Sequence, residues 1–386
     1  THEAKDFNAT FNNNNTVCAQ QMGALAPYLS NAALASTVAG ILTLTCTGNS
    51  NSMLSGKTIT DKISESQFTG TAVLSYKPVD QLMIYASYAR GYKAGGYNLD
   101  RSDLGAAFLP ATTTTPDATK LRFDPETVNA YEAGFKLSTR KFTLNVAAFR
   151  SDFQNFQLNT FNGTNYVVQN IGSCSINLNG ADRDASATTG SCTGGSVGTG
   201  VRSQGVEIEA GIYPVRNVAF NLGYTLADTK YRNNLVGSKA GEALDPALFL
   251  LPGNQMSNAP RNVITTSFSW TPDIGSSGMS ALFYVDQRTT SDYNTGSDLF
   301  YEKAQDAFTL VNARIGLRGA ADRWALELWA QNLLDTKYMQ VAFNAPFQGA
   351  GSQGQVMNLG TPVGNQIFSA FLAEPRTYGV TLRTRF

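Results

Sequence analysis

The sequence predicts an all-β chain, folded as a transmembrane antiparallel β-barrel. Three observations carry this prediction. Segments with period-two alternation of apolar and polar residues recur from one end of the chain to the other. The connections between them alternate short and long without exception. Aromatic residues collect near both ends of these segments, as at Trp270, Trp324 and Phe142 beside short turns and Tyr88, Tyr131 and Tyr224 at the far ends. Compact soluble domains seldom need long irregular connections. Membrane barrels have them, with short turns on the periplasmic side and long loops outside.

Taken in order, residues 1–7 read as the end of a strand. Residues 8–67 read as a long loop, and their middle, 18–45, has room for a short helix. Strands then follow at 68–77 and 81–90, joined by Pro78-Val79-Asp80. A long polar segment, 91–124, leads to strands 125–138 and 141–151, joined by Thr139-Arg140. Segment 152–200 is long again, and strands 201–213 and 217–229 flank Pro214-Val215-Arg216. After the long 230–259, strands 261–270 and 278–288 flank residues 272–277. A medium connection, 289–305, leads to strands 307–318 and 323–332, and the long 333–374 leads to the last strand, 378–386.

Facing patterns agree with this division, because successive strand side chains point to opposite faces. In the last strand, Tyr378, Val380, Leu382 and Phe386 share one parity, and Arg383 and Arg385 share the other. Val206, Ile208 and Ile212 alternate with Glu207, Glu209 and Gly211. One face is apolar enough for lipid. The other carries Gly, Asn, Thr and charges that need water or each other.

Composition narrows the function. Lys+Arg equals Asp+Glu at 29 each, so no basic surplus exists to neutralise nucleic-acid phosphates. No run reaches the roughly 20 apolar residues of a membrane helix. The nearest, 24–44, is broken by Pro27, Asn31, Ser36, Thr37 and Gly40. Residues 1–5 have neither a charged n-region nor an apolar h-region, so no signal peptide is expected there. Either such a segment has been removed or the chain begins within a larger protein, and the latter is the expectation.

Four cysteines form two local pairs, Cys18/Cys46 and Cys174/Cys192, each in a polar stretch. Two disulfides, each closing its own loop, are expected in an oxidising compartment. The short, convergent ligand spacing of a zinc site is lacking, and no metal or cofactor is expected. The single histidine, His2, leaves catalytic dyads and triads without a base, so no enzyme is expected. Glu207 and Glu209 read as lumen-lining charges paired with cations on neighbouring strands rather than as an acid–base pair.

Four stretches in order resemble the C-terminal half of TonB-dependent outer-membrane receptors. Residues 85–98, YASYARGYKAGGYN, are similar to that family's passage from strand to outer loop. Residues 123–136, FDPETVNAYEAGFK, resemble its Pro-Glu…Tyr-Glu-x-Gly-x-Lys strand. Residues 331–338, QNLLDTKY, and 374–379, EPRTYG, resemble its Asn-Leu-x-Asp-x-x-Tyr block and the lead-in to its last strand. The resemblance implies that residues 1–386 are the C-terminal portion of a barrel of about 22 strands, with the plug and first strands absent.

It further implies the outer membrane of a Gram-negative bacterium, with lipopolysaccharide and other outer-membrane lipid around the barrel. Uptake of a ferric siderophore or similar scarce nutrient would be driven by the TonB complex through that absent plug. The terminal pattern Tyr378, Val380, Leu382, Phe386 resembles the signal read by the barrel assembly machinery. Two rivals stay open: a complete twelve-stranded passive porin, and a structural or adhesive barrel. On this reading the last strand pairs with 323–332 on one side and has an unpaired edge on the other.

Ligand capture would come from the outer loops. Arg90, Tyr92, Lys93, Tyr97 and Arg101 combine cations with aromatics above a strand, a set suited to an anionic chelate by charge and stacking. The plainer alternative makes Tyr88 and Tyr92 girdle residues and pairs Arg90 within the lumen. Phe153, Phe156, Phe161 and Tyr166, and separately Phe343 and Phe347, read as loop packing.

Overall fold

The computed structural model describes residues 1–12, 15–46, 56–100, 104, 117–161, 165–184, 186, 188–344 and 367–385. Eleven strands form one continuous antiparallel path: β3 (Gly70–Val79), β4 (Leu82–Lys93), β5 (Glu126–Ser138), β6 (Phe142–Gln154), β9 (Val197–Ile212), β10 (Val218–Tyr231), β11 (Asn262–Trp270), β12 (Met279–Thr290), β13 (Phe308–Arg318), β14 (Trp324–Gln331) and β17 (Thr377–Thr384). Each pairs with the next in chain order. All eleven coincide with strands expected from the sequence, with ends that differ by up to four residues: β9 begins at Val197 rather than 201, β4 and β6 run on to Lys93 and Gln154, and β3 takes in Pro78 and Val79 of the expected turn.

The path is open. β17 pairs with β14, from Trp324 opposite Thr384 to Gln331 opposite Thr377, and its other edge is unpaired among the described residues. Tyr378, Val380 and Leu382 are 80%, 64% and 67% exposed. Phe386 lies outside the described residues. At the opposite margin, β3 pairs with β4 alone and is exposed along its whole length. Exposed edges of this kind cannot face lipid without leaving backbone groups unsatisfied. The sheet is therefore an arc of a barrel wall.

The two faces differ as the alternation predicts. Ile212, Leu222, Ile315, Leu326 and Leu328 are exposed on the apolar side. On the other side Glu327 is 4% exposed, with Arg318 at 3.8 Å and Arg383 at 3.6 Å. Asp286 accepts from Asn312, and Glu132 from the Tyr85 hydroxyl. Glu209 takes Asn145 at 3.2 Å, an amide where a cation was expected.

The N-terminal region departs from the expected long loop. β1 (His2–Thr10) pairs with β2 (Thr58–Ser66) in a two-stranded sheet of their own. The closed twelve-stranded barrel would need this first strand against β17, which is not its partner. Between them lie α1 (Asn15–Leu25) and α2 (Ala35–Cys46), packed through Val38 and Leu42 onto Cys18, Met22, Leu25 and Leu29. The expectation of one short helix is thus corrected to two. Neither strand β2 nor its pairing was visible because its inner face carries Ile59, Asp61, Ile63 and Glu65. Two carboxylates interrupt the apolar row. Among the described residues no helix is long and apolar enough to cross a membrane.

The apolar core sits in the long connections. Leu158, Ile171, Leu235, Leu244, Leu248 and Leu251 are buried together with Val201 and Tyr231 from the strand ends. Two further hairpins belong to this cap: β7 (Phe156–Phe161) with β8 (Tyr166–Cys174), and β15 (Met339–Asn344) with β16 (Phe368–Leu372). Both fall in segments expected to be long loops, although Asn162-Gly163 between two apolar runs is a hairpin signal in the sequence.

Candidate functional site

The long connections and strand tops supply the candidate site. At the top of β4, the β1–β2 hairpin docks through its odd-numbered side chains. Tyr92 donates its hydroxyl to Glu65 at 2.9 Å, and Tyr97 donates to Asp61 at 3.0 Å. Phe7 stacks on Tyr97 with ring centroids 4.7 Å apart. Arg122 holds both Asp61 oxygens in a fork, and Lys5 donates to the Gly95 carbonyl. Gly95 has to be glycine: a Cβ there would lie 2.6 Å from the Glu65 carboxylate and from the Phe123 carbonyl. Behind the hairpin, Phe11, Ile59, Ala118 and Leu121 are buried together.

This arrangement divides the four described members of the expected ligand-binding set, Arg90, Tyr92, Lys93 and Tyr97, between different partners. Tyr92 and Tyr97 face the hairpin, where Glu65 and Asp61 already occupy the anion positions. Arg90 donates to Asn129 at 3.2 Å, and Lys93 stands opposite Glu126 in the β4–β5 ladder. Arg101 lies outside the described residues.

The Arg122 fork holds the Asp61 carboxyl below its usual value, and burial pushes the Tyr97 hydroxyl up. For Asp61 the folded state releases its proton more readily than the unfolded one. Its contribution is thus present above the ordinary value of 3.8 and fades as pH falls through the lower folded value. The hairpin should stay docked between pH 5 and 7 and loosen below about pH 4. Limited proteolysis across this range checks it. An Asp61→Asn variant showing the same acid-induced loosening as wild type would assign the effect elsewhere.

Among the described residues, two cavities of the cap bear on the site. One, of about 550 Å³, is lined by Asn98, Lys120, Arg122, Asp124, Gln169 and Asp245 among others. Its walls are braced: Lys239 meets Asp124 at 2.7 Å, Gln169 donates to Asp245 at 2.8 Å, and Asn98 bonds the Val168 backbone at both ends of its amide. The other, of about 340 Å³, is lined by Phe156, Tyr166, Tyr231, Met256, Asn258 and Phe343 among others. Both volumes fall in the range of small-molecule sites. Neither was assembled by sequence reasoning, since each draws on three or more separate connections. Phe153 with Phe156, and Phe161 with Tyr166, do pack ring to ring as expected. Phe347 lies outside the described residues.

Two covalent and ionic ties hold the cap. Cys174 and Cys192 form the expected disulfide. The Cys18–Cys46 pairing lies outside the description, because the Cys46 side chain does. Lys303, 1% exposed, donates to Asp298 at 2.6 Å and to Asn344, beneath the rings of Phe300 and Phe368. Burial pushes its ammonium below the ordinary lysine value, and Asp298 pulls it part of the way back. Among the described residues no group of three or more His, Cys, Asp or Glu could hold a metal ion.

Residues 46–333 match the family model described as "TonB dependent receptor-like, beta-barrel". Among solved structures, the ferric yersiniabactin uptake receptor FyuA from Yersinia pestis is similar over 88% of this chain, at 17% identity and a TM-score of 0.56. The siderophore receptor PiuA from Acinetobacter baumannii is similar over 86%, at 18% identity and a TM-score of 0.52. At these identities the likeness is one of fold. The chain spans 39% and 37% of the length of those two proteins.

Proposed function

Because the chain belongs to the TonB-dependent receptor-like β-barrel family, we propose that it forms the C-terminal barrel portion of an outer-membrane uptake receptor. One observation supports this beyond the family match. The strands are joined by short turns at one end, whereas the other end carries a folded cap with cavities of ligand size. A passive pore has no need of such a cap.

In this reading the TonB complex of the inner membrane supplies the energy, through a plug domain outside these residues. The cargo is a bulky anionic chelate, a ferric siderophore in the first instance. Of the proteins similar in fold, FyuA is named for ferric yersiniabactin uptake and PiuA as a siderophore receptor. In the larger cavity Lys120 is the cation left to meet such a chelate, since Arg122 is held by Asp61, and Phe123 lines the same wall for stacking.

Uptake by the intact receptor tests the proposal. Labelled ferric siderophores, cobalamin and oligosaccharides would be offered to cells with and without a functional TonB complex. Saturable accumulation of one ferric chelate, lost with the complex, is expected. A Lys120→Gln variant should raise the half-saturating concentration by about fivefold to tenfold, the cost of one charge-assisted contact. Non-saturable entry of small sugars regardless of the TonB complex would instead identify a porin.

A further inference from the structure

We propose that the smaller cavity of the cap is a strand-addition site, where the free edge of β7 takes the backbone of a short, extended, uncharged peptide. The site is separate from the cavity of Lys120 and needs no transport. The register and two contacts fix which way this edge faces. β7 and β8 pair without a shift, with Asn159 opposite Val168 and Gln157 opposite Asn170. Val168 turns both of its main-chain groups away from β7. Its N–H donates to the Asn98 amide oxygen at 2.8 Å, and its carbonyl accepts from the Asn98 amide nitrogen at 2.9 Å. In an antiparallel pair, two opposite residues either exchange both bonds or turn both outward. Asn159 therefore points its own N–H and carbonyl out of the hairpin on the other side. Gln157 has the same parity and agrees, since its N–H leaves the ladder for the Glu126 carboxylate at 2.8 Å.

Among the described residues no strand pairs with β7 except β8. Gln157, Leu158 and Asn159 instead line the cavity of about 340 Å³. Across it stands β15, through Val341, Ala342 and Phe343. The edge of β15 is already taken: Ala342 donates its N–H to the Thr295 hydroxyl at 2.9 Å, and Asn344 donates to the Tyr166 hydroxyl at 3.0 Å. One wall of the slot thus offers main-chain groups in need of partners, and the other wall does not.

A donor and an acceptor side by side on a strand edge match another amide backbone. The chain itself supplies the precedent. The side-chain amide of Asn98, a single peptide-like unit, exchanges both bonds with Val168 on the far edge of the same hairpin. Charge decides what else the occupant can carry. Among the described residues no charged side chain lines this cavity, whereas Lys120, Asp124, Glu242 and Asp245 line the larger one. Phe156, Tyr231, Met256 and Phe343 give the slot apolar walls, and an unpaired charge against them would be costly. Main-chain bonds then hold the peptide, and the walls select its side chains. Outward-facing residues recur about every 7 Å along a strand, so three residues of peptide are enough.

The test uses the intact receptor in neutral detergent and acetyl-Thr-Val-Ala-Val-Thr-amide, carrying a neutral fluorophore and read by anisotropy. Saturable binding is expected. Methylating the peptide's amide nitrogens one at a time should give an alternating response. Binding should weaken about tenfold where the amide faces Asn159, the loss of one hydrogen bond, and stay unchanged at the neighbouring positions. Replacing both valines by glutamate should abolish it. Asn159→Ala should leave binding unchanged, because the main chain makes the contact. Asn159→Pro removes the outward N–H without touching the ladder to β8, as proline on a strand edge can, and should bind about tenfold more weakly. Should that variant fail to reach the folded gel mobility of a heat-modifiable barrel, the methylation series decides alone. A flat response to methylation, weaker binding by Asn159→Ala, undiminished binding by folded Asn159→Pro, or equal binding of the glutamate peptide would overturn the site.

Discussion

Replacing Lys303 with methionine should loosen the outer cap by about 3–5 kcal/mol, the cost of leaving one member of a buried ion pair alone. Methionine keeps the volume between Phe300 and Phe368 but removes the ammonium from Asp298 and Asn344. The Asp298 carboxylate is 5% exposed as a residue, so water cannot replace the lost partner. The double variant Lys303→Met with Asp298→Asn should recover most of the loss. It removes the orphan charge, yet the amide oxygen can still accept from the Phe300 backbone N–H, which Asp298 holds at 3.1 Å. Native-state hydrogen exchange over 295–305 and 339–344 reads the effect locally. If the double variant is as loose as the single, the ion pair is not what holds the segment.

Removing the Cys174–Cys192 disulfide, by changing both residues to serine, should cost the cap about 2–4 kcal/mol. The tie closes a loop of sequence separation 18. It also positions a second contact. Cys192 donates its backbone N–H to the Gly241 carbonyl at 2.8 Å, and Gly241 has φ +84. A Cβ at Gly241 would come within 2.1 Å of the Cys192 carbonyl, so glycine is required both for the turn and for the approach. Freed of the disulfide, residues 188–196 should exchange faster, and 235–245, which line the larger cavity, should follow. The strands of the wall should not change. Uniform protection in both segments would show that their hydrogen bonds suffice without the covalent link.

The wall of the barrel was legible because its physics is local. Tyr378, Val380 and Leu382 against Gly379, Thr381 and Arg383 declare two faces within a few residues, and Pro78-Val79-Asp80 or Thr139-Arg140 leaves room only for a tight turn. The cap was not legible, because its contacts are distant. Lys303 reaches Asn344 across 41 positions, and Tyr166 accepts the Asn344 N–H across 178. The β1–β2 hairpin hid for a different reason. Asp61 and Glu65 stand where an apolar pattern was sought, and their partners Arg122, Tyr97 and Tyr92 belong to other segments. Sequence alone did not show that two of the residues expected to bind ligand, Tyr92 and Tyr97, are already occupied by the chain's own carboxylates.

The open wall has a consequence in strand direction. Each of the eleven strands runs opposite to its neighbour, so the first, β3, and the last, β17, run the same way. Brought edge to edge, they would meet as a parallel pair, with the slanted and slightly weaker ladder that such pairs form. A cylinder with antiparallel ladders all the way round has an even count, as the outer-membrane barrels of a single chain do. These eleven can complete one only with an odd number of partners inserted at the seam between Tyr378 and Tyr76.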